Sequence, residues 1–160
     1  MFEFDGIPPA RTEKVASVTD VAELLAAQAA ASGAATTTIV PVGGGTALGI
    51  GNVVDAIDLV VDVRGLRGIE NYNPADLTLT AKAGTTLAEL QAELAIHGQE
   101  LPVEAPFADR ATIGGLIATA FAGPRRYGAG MLKDAIIGSS YVRADGLTAK
   151  AGGMVVKNVS

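Results

Sequence analysis

An α+β fold, as one domain or two small α/β lobes, is what this sequence predicts, and three observations predict it. A β-branched run, Thr36 to Val40, leads into a glycine-rich loop in the first half of the chain. A segment of strict alternation, Leu77 to Ala83, feeds a capped amphipathic helix in the second half. Two strand-like segments flank Ala144-Asp145-Gly146, which is a hairpin signal. The element order changes near Asn73-Pro74, giving a first lobe at 1–73 with the glycine loop at 41–52, and a second at 74–160.

Taken in order, residues 1–18 form an extended lead-in. Pro8-Pro9 forbids helix, and Val15 to Val18 suits a short strand. Thr19 is placed to cap a helix running to about Ser32, with Val21, Leu24 and Leu25 inward and Gly33 as its stop. Ile57 to Val63 alternates at its odd positions, so it reads as a strand with Asp58 and Asp62 on the wetter face. Leu66 to Tyr72 is a further short strand, and Asn73-Pro74-Ala75-Asp76 is a turn. Thr86 and Glu89 make a capping box for a helix that carries Leu87, Leu90 and Leu94 on one face and ends near Gly98. The single histidine, His97, falls in that last turn, where it is a C-terminal helix cation or a loop residue. A proline-containing connector, Leu101 to Arg110, leads to a helix capped by Thr112, whose first turn is Ile113-Gly114-Gly115. Gly123 to Gly128 is turn-rich, and the hairpin follows.

The stretch Pro41 to Asn52 holds five glycines in the nine positions from Gly43 to Gly51. Glycine tolerates positive φ, so successive N–H groups can turn inward to make an anion-binding concavity suited to a diphosphate. A plain flexible turn has the same composition. A Walker loop is excluded, because no lysine lies between Lys14 and Lys82. A dinucleotide fingerprint is excluded by Leu48, and by Gly49, Gly51 and Asn52, which would break the helix it requires. The glycine-opened helix poses a similar choice. Two glycines in a first turn disfavour helix by ~1 kcal/mol each, and either ligand approach to the N–H groups or tight packing on a strand accounts for them. Together the two sites can clasp a pyrophosphate.

Composition narrows the field. The 160 residues leave room for one domain or two small lobes. Hydrophobic content is 49% with mean hydropathy +0.35, yet no run approaches the ~20 apolar residues of a membrane span. The acidic start, Met1 to Asp5, lacks a signal-peptide pattern. Absence of cysteine removes thiolate metal sites and cysteine nucleophiles and fits a cytoplasmic protein. A net charge of −5 without a basic cluster argues against nucleic acid. Bound phosphate would therefore be held by backbone dipoles.

Pro41 to Gly49, Thr112 to Leu116, Arg126-Tyr127-Gly128, Lys133-Asp134 and Ala144-Asp145-Gly146 resemble, in order and spacing, the FAD-binding domain of the vanillyl-alcohol-oxidase (PCMH-type) flavoproteins. Phe121 to Arg126 and Gly152 to Val159 are most similar to the FAD-binding E-type subunits of bacterial glycolate oxidases. The resemblance runs from about Thr12 to Val159 and implies a PCMH-type FAD-binding domain. It implies that Gly43, Gly44, Gly45, Thr46, Gly114 and Gly115 hold the FAD pyrophosphate through backbone N–H groups, with Pro41 shaping the loop entry. Thr112, Ala118 and Thr119 would lie along the cofactor. Arg125 and Arg126 could meet phosphates, a carboxylate substrate or a partner subunit, or be plain surface arginines.

Two departures carry expectations. Family members that bind flavin covalently through the first loop have histidine where this chain has Gly45, and others use cysteine, so flavin is expected to be non-covalent. The family continues beyond this region into a substrate (cap) domain, so the chain reads as truncated, and no catalytic residue is assigned. The activity implied is FAD-linked oxidation of a 2-hydroxy acid such as glycolate or lactate, with hydride leaving the substrate carbon for the flavin. The alternative is a non-catalytic flavin-binding or structural subunit. Protein partner subunits or an oligomer are expected with either.

Overall fold

The computed structural model describes residue 4, residues 6–32 and residues 36–153. Gly33, expected to stop the first helix, and the 154–159 ending lie outside the described residues. The first half is a three-stranded parallel sheet. β1 (Arg11–Lys14), β2 (Ile39–Val42) and β3 (Leu59–Asp62) lie in the order β1-β3-β2, and α1 (Val18–Ser32) joins β1 to β2. Val21 and Leu24 of α1 pack against Val15, Leu59 and Val61. On the other side of the sheet, Val42 and Val60 pack with Phe4 and Ile57.

Burial on both sides explains the main departure from the sequence reading. Leu59, Val60, Val61 and Asp62 are all buried, because β3 is the central strand of a parallel sheet covered on both faces. The alternating pattern was expected to leave Asp62 on a wet face, and it does not. Asp62 is 3% exposed, and the Arg64 side chain closes over it with Nε 2.8 Å from Oδ1 and Nη2 2.6 Å from Oδ2. Asp58 stays exposed and accepts a hydrogen bond from Thr38 N at 2.7 Å. Pro41 is tolerated because β2 is an edge strand.

Other boundaries shift for local reasons. The lead-in strand is Arg11–Lys14, and Val18 already belongs to α1. The cap is Ser17 in place of Thr19. Ser17 Oγ accepts from Asp20 N at 3.0 Å, while Asp20 Oδ2 accepts from the N–H groups of Ala16 and Ser17 at 2.9 Å. Ser17 has its acidic partner three residues on, whereas Thr19 is itself in the first turn. Leu77 leaves the Pro74–Asp76 turn in the left-handed region (φ 55°), so the strand expected from Leu77 begins at Thr78.

In the second half, β4 (Ile69–Asn73) pairs antiparallel with β5 (Thr78–Ala81). The expected lobe boundary at 73/74 thus falls inside a hairpin connection. The apolar clusters divide earlier, between Val63 and Ile69. α2 (Leu87–Ala95) has the capping box read from the sequence, and it buries Leu87, Leu90 and Leu94. These residues pack with Val103, Ile113 and Leu116. α3 (Ile113–Ala118) and α4 (Arg126–Ala129) follow. β6 (Gly138–Val142) and β7 (Thr148–Gly152) form the closing hairpin. Its turn residue Gly146 has φ 82°, and a Cβ there would lie 2.5 Å from Ala22 O. The hairpin tip is therefore docked on α1.

Candidate functional site

The first glycine segment leaves the end of β2 at Val42 as an irregular, half-buried loop, with Gly45 at φ +67°. Among the described residues, no acceptor is paired with the N–H groups of Gly43, Gly44, Gly45 or Thr46. Half-buried donors without partners call for an external acceptor. Four in succession, one of them in a left-handed conformation, are left to solvent or a ligand. Pro41 sits one residue before Val42 on the edge strand and is exposed.

The second glycine segment is arranged differently from the expectation of open N–H groups. Ile113 N donates to Thr85 O at 2.9 Å and Gly114 N to Ala83 O at 2.8 Å. Gly115 N donates to the Thr112 side chain at 3.3 Å. The first turn of α3 is therefore satisfied within the chain. Tight packing explains Gly114, since a Cβ there would lie 2.8 Å from Ala83 Cβ and 3.0 Å from Ala83 O. Beyond this turn Ala118 and Thr119 are exposed, and Thr119 Oγ1 donates back to Gly115 O at 2.8 Å.

The two segments are in contact. A Cβ on Gly43 would lie 2.1 Å from Thr112 Oγ1, and one on Gly44 would lie 1.8 Å from Arg110 O. The Arg110 guanidinium also reaches back, donating from Nη2 to Gly44 O at 3.4 Å while lying over the Phe107 ring at 5.7 Å. Gly43 and Gly44 thus rest on the residues just ahead of α3. Pro41, Gly43, Gly44, Gly45 and Thr46 form one side of the site; Thr112, Gly114 and Gly115 form its support. Beside the loop, Ile7, Val40, Pro41, Leu48, Ile50 and Asn52 line part of a recess of about 240 Å³ whose walls are both polar and apolar.

Arg110 was missed by the sequence reading, which found no basic side chain in either glycine segment. It lies at the end of the connector and is 66 residues from Gly44, so only the tertiary fold joins them. Arg125 is committed elsewhere, in a two-pronged ion pair with Glu100. Arg126 lies over the Tyr127 ring at 4.8 Å. His97 meets Tyr72 edge-on at 5.3 Å on the exposed end of α2, in keeping with a loop residue. No group of three or more potential metal ligands occurs among the described residues, and no described helix is long and apolar enough to cross a membrane.

Comparison with known families gives the class of the domain, an FAD-binding one. The FAD binding domain family matches residues 12–152, and the chain belongs to that family. It is 43% identical over 101 residues to the glycolate oxidase subunit GlcE of Escherichia coli, covering 62% of this chain and 29% of that protein. It is 32% identical over 118 residues to D-lactate dehydrogenase of Archaeoglobus fulgidus, covering 74% and 26%. D-2-hydroxyglutarate dehydrogenase of Xanthomonas citri pv. viticola is 31% identical over 122 residues, covering 76% and 26%. The chain thus spans between a quarter and a third of the length of these relatives. Among solved structures, Physcomitrella patens BBE-like 1 superposes with TM-score 0.73 at 23% identity, covering 94% of this chain and 32% of that one. The 6-hydroxy-D-nicotine oxidase of Arthrobacter nicotinovorans gives 0.73 at 20% identity, covering 91% and 30%. The fold is the PCMH-type FAD-binding fold that the sequence motifs imply.

Proposed function

We propose that this chain is the FAD-binding portion of an oxidoreductase acting on a 2-hydroxy acid such as glycolate or lactate, and that it holds FAD non-covalently. The observation that carries the reading is the run of unpaired N–H groups from Gly43 to Thr46, in a member of the FAD binding domain family. In this reading those four groups take the pyrophosphate, with Pro41 fixing the strand end from which the loop departs. Thr112 and Gly114 hold the facing wall by packing on Gly43 and Ala83, Gly115 is tied to Thr112, and the exposed Ala118 and Thr119 lie along the cofactor. FAD, when bound, supplies two-electron acceptance from the substrate carbon. The protein's part is to hold and orient the cofactor.

The substrate class is supported by three relatives named for glycolate, D-lactate and D-2-hydroxyglutarate. A second reading, a flavin-holding subunit without turnover of its own, is favoured by the name of the Escherichia coli relative, which is a subunit. Partner subunits or an oligomer belong to both readings, as does a cytoplasmic location, supported by the lack of cysteine. Two lobes meeting at the loop contact also belong to both. Visible absorbance of the purified protein tests for flavin, and a colourless protein that takes up no added FAD rejects both readings. Turnover of glycolate and D-lactate with an artificial electron acceptor then separates them.

A further inference from the structure

We propose that Arg110 is a positioning residue for the diphosphate loop, a role that rests on the FAD reading above. Its guanidinium donates to the carbonyl of Gly44 at 3.4 Å. In a trans peptide the carbonyl and the following N–H point in opposite directions. Holding Gly44 O toward Arg110 therefore turns the N–H of Gly45 away from it, toward the concavity where the anion is to sit. The same contact brings a full positive charge against a peptide whose N–H must donate to a phosphate, and it polarises that peptide in the useful sense.

Three further observations make the contact specific. The backbone of residue 110 is pressed on the loop, since its carbonyl lies 1.8 Å from where a Gly44 Cβ would be. The side chain is steered by the Phe107 ring beneath its guanidinium. Arg11, Arg64, Arg67, Arg125 and Arg143 are each ion-paired with a carboxylate, whereas among the described residues Arg110 and Arg126 have none within 4.0 Å, and of these two Arg110 is the one hydrogen-bonded to the loop, Arg126 lying over Tyr127. The Arg110 charge is thus left to act on the loop and its ligand. The acidic chain, with net charge −5, gives an approaching diphosphate little other cationic help there.

The test compares intact wild-type protein with Arg110→Met, which keeps an apolar stem over Phe107, and Arg110→Lys, which keeps charge and a donor. Each apoprotein is titrated with FAD and, separately, with riboflavin, which lacks phosphate, and its melting temperature is measured. Arg110→Met is expected to weaken FAD about tenfold, the scale of one charge-assisted hydrogen bond. Riboflavin affinity and apoprotein melting should stay at wild-type values, and Arg110→Lys should recover part of the FAD loss. Unchanged FAD affinity in Arg110→Met, equal weakening of FAD and riboflavin, a parallel fall in melting temperature, or a lysine variant no better than methionine would each overturn the proposal. Wild-type protein that binds no FAD would overturn the functional reading and this role with it, so the two failures are distinct.

Discussion

Thr112 Oγ1 occupies the space that a Cβ on Gly43 would need, 2.1 Å from its ideal position, and so locks the end of β2 to the cap of α3. One residue on, the obstacle changes in kind. A Cβ on Gly44 would meet the carbonyl oxygen of Arg110 at 1.8 Å, which is backbone. This difference predicts how the two glycines respond to substitution. Gly43→Ala should cost about 1–3 kcal/mol of stability by overpacking, and Thr112→Ala should return part of that cost, seen as a favourable coupling of about 1 kcal/mol in a double-mutant cycle. Gly44→Ala should destabilise at least as much, without rescue from Arg110→Ala. Urea denaturation of the four single variants and the two doubles measures this. A Gly44→Ala protein of wild-type stability would show that the loops do not dock in this way.

Much of this arrangement was legible before the structure. Local signals such as the Thr86/Glu89 box, the Thr112 cap and the turn at Asp145-Gly146 depend on residues a few positions apart, and the structure reproduces each of them. Legibility failed where the answer depends on what packs from afar. Asp62 alternates like a surface residue, yet it is buried because both faces of its sheet are covered and the Arg64 side chain closes over it. The Gly114 N–H looked free for a ligand, yet it is taken by Ala83 O, thirty-one residues upstream. Arg110 carries no sequence sign of its reach to Gly44. The sequence offered only a nest or a flexible turn for the glycines of the first loop, whereas Gly43 and Gly44 are also held to glycine by their contact with residues 110–112.

The α2 capping box offers a test of local stability. Glu89 N donates to Thr86 Oγ1 at 3.3 Å, and Glu89 Oε2 accepts from Thr86 N at 3.0 Å. Arg67 is ion-paired with the same carboxylate, which brings the entry of β4 to the start of the helix. Thr86→Ala should therefore destabilise by about 1 kcal/mol, and Thr86→Ser should restore most of it. Chemical denaturation followed by circular dichroism reads the difference. An alanine variant as stable as wild type would mean that the cap is replaced by water without loss.

Asp62 predicts an acid sensitivity. The Arg64 side-chain hydrogen bonds hold its carboxyl below the ordinary aspartate value, with burial opposing them. A lowered folded-state pKa means that the unfolded chain binds more protons in this range, so stability rises with pH there. The contribution is complete above the ordinary aspartate range, near pH 4. It declines as pH falls through that range and is gone below the folded value. Asp62→Asn should lose roughly 1–3 kcal/mol at neutral pH and show a shallower fall in melting temperature between pH 5 and 3 than wild type. Parallel pH profiles for the two proteins would assign the acid sensitivity to other carboxylates, with Asp20, Glu89 and Glu100, all likewise lowered by hydrogen bonds, next in line.

The mode of flavin attachment gives the last prediction. A covalent link to the flavin needs a nucleophilic side chain beside the cofactor. The chain contains no cysteine, and its one histidine, His97, is on the exposed end of α2 against Tyr72. At the loop position where covalently flavinylated relatives are expected to carry histidine, this chain has Gly45, with φ +67°. That is a left-handed conformation glycine adopts freely and other residues adopt at a cost of about 1 kcal/mol or more. The backbone there is thus suited to presenting an N–H, and it offers no side chain to bond the ring. FAD should accordingly be released intact when the holoprotein is denatured by acid or heat. After precipitation, all flavin absorbance is expected in the supernatant, with none migrating with the polypeptide on a denaturing gel. Flavin fluorescence that stays with the washed, unfolded chain would reject non-covalent binding and direct attention to a nucleophile other than cysteine or a loop histidine.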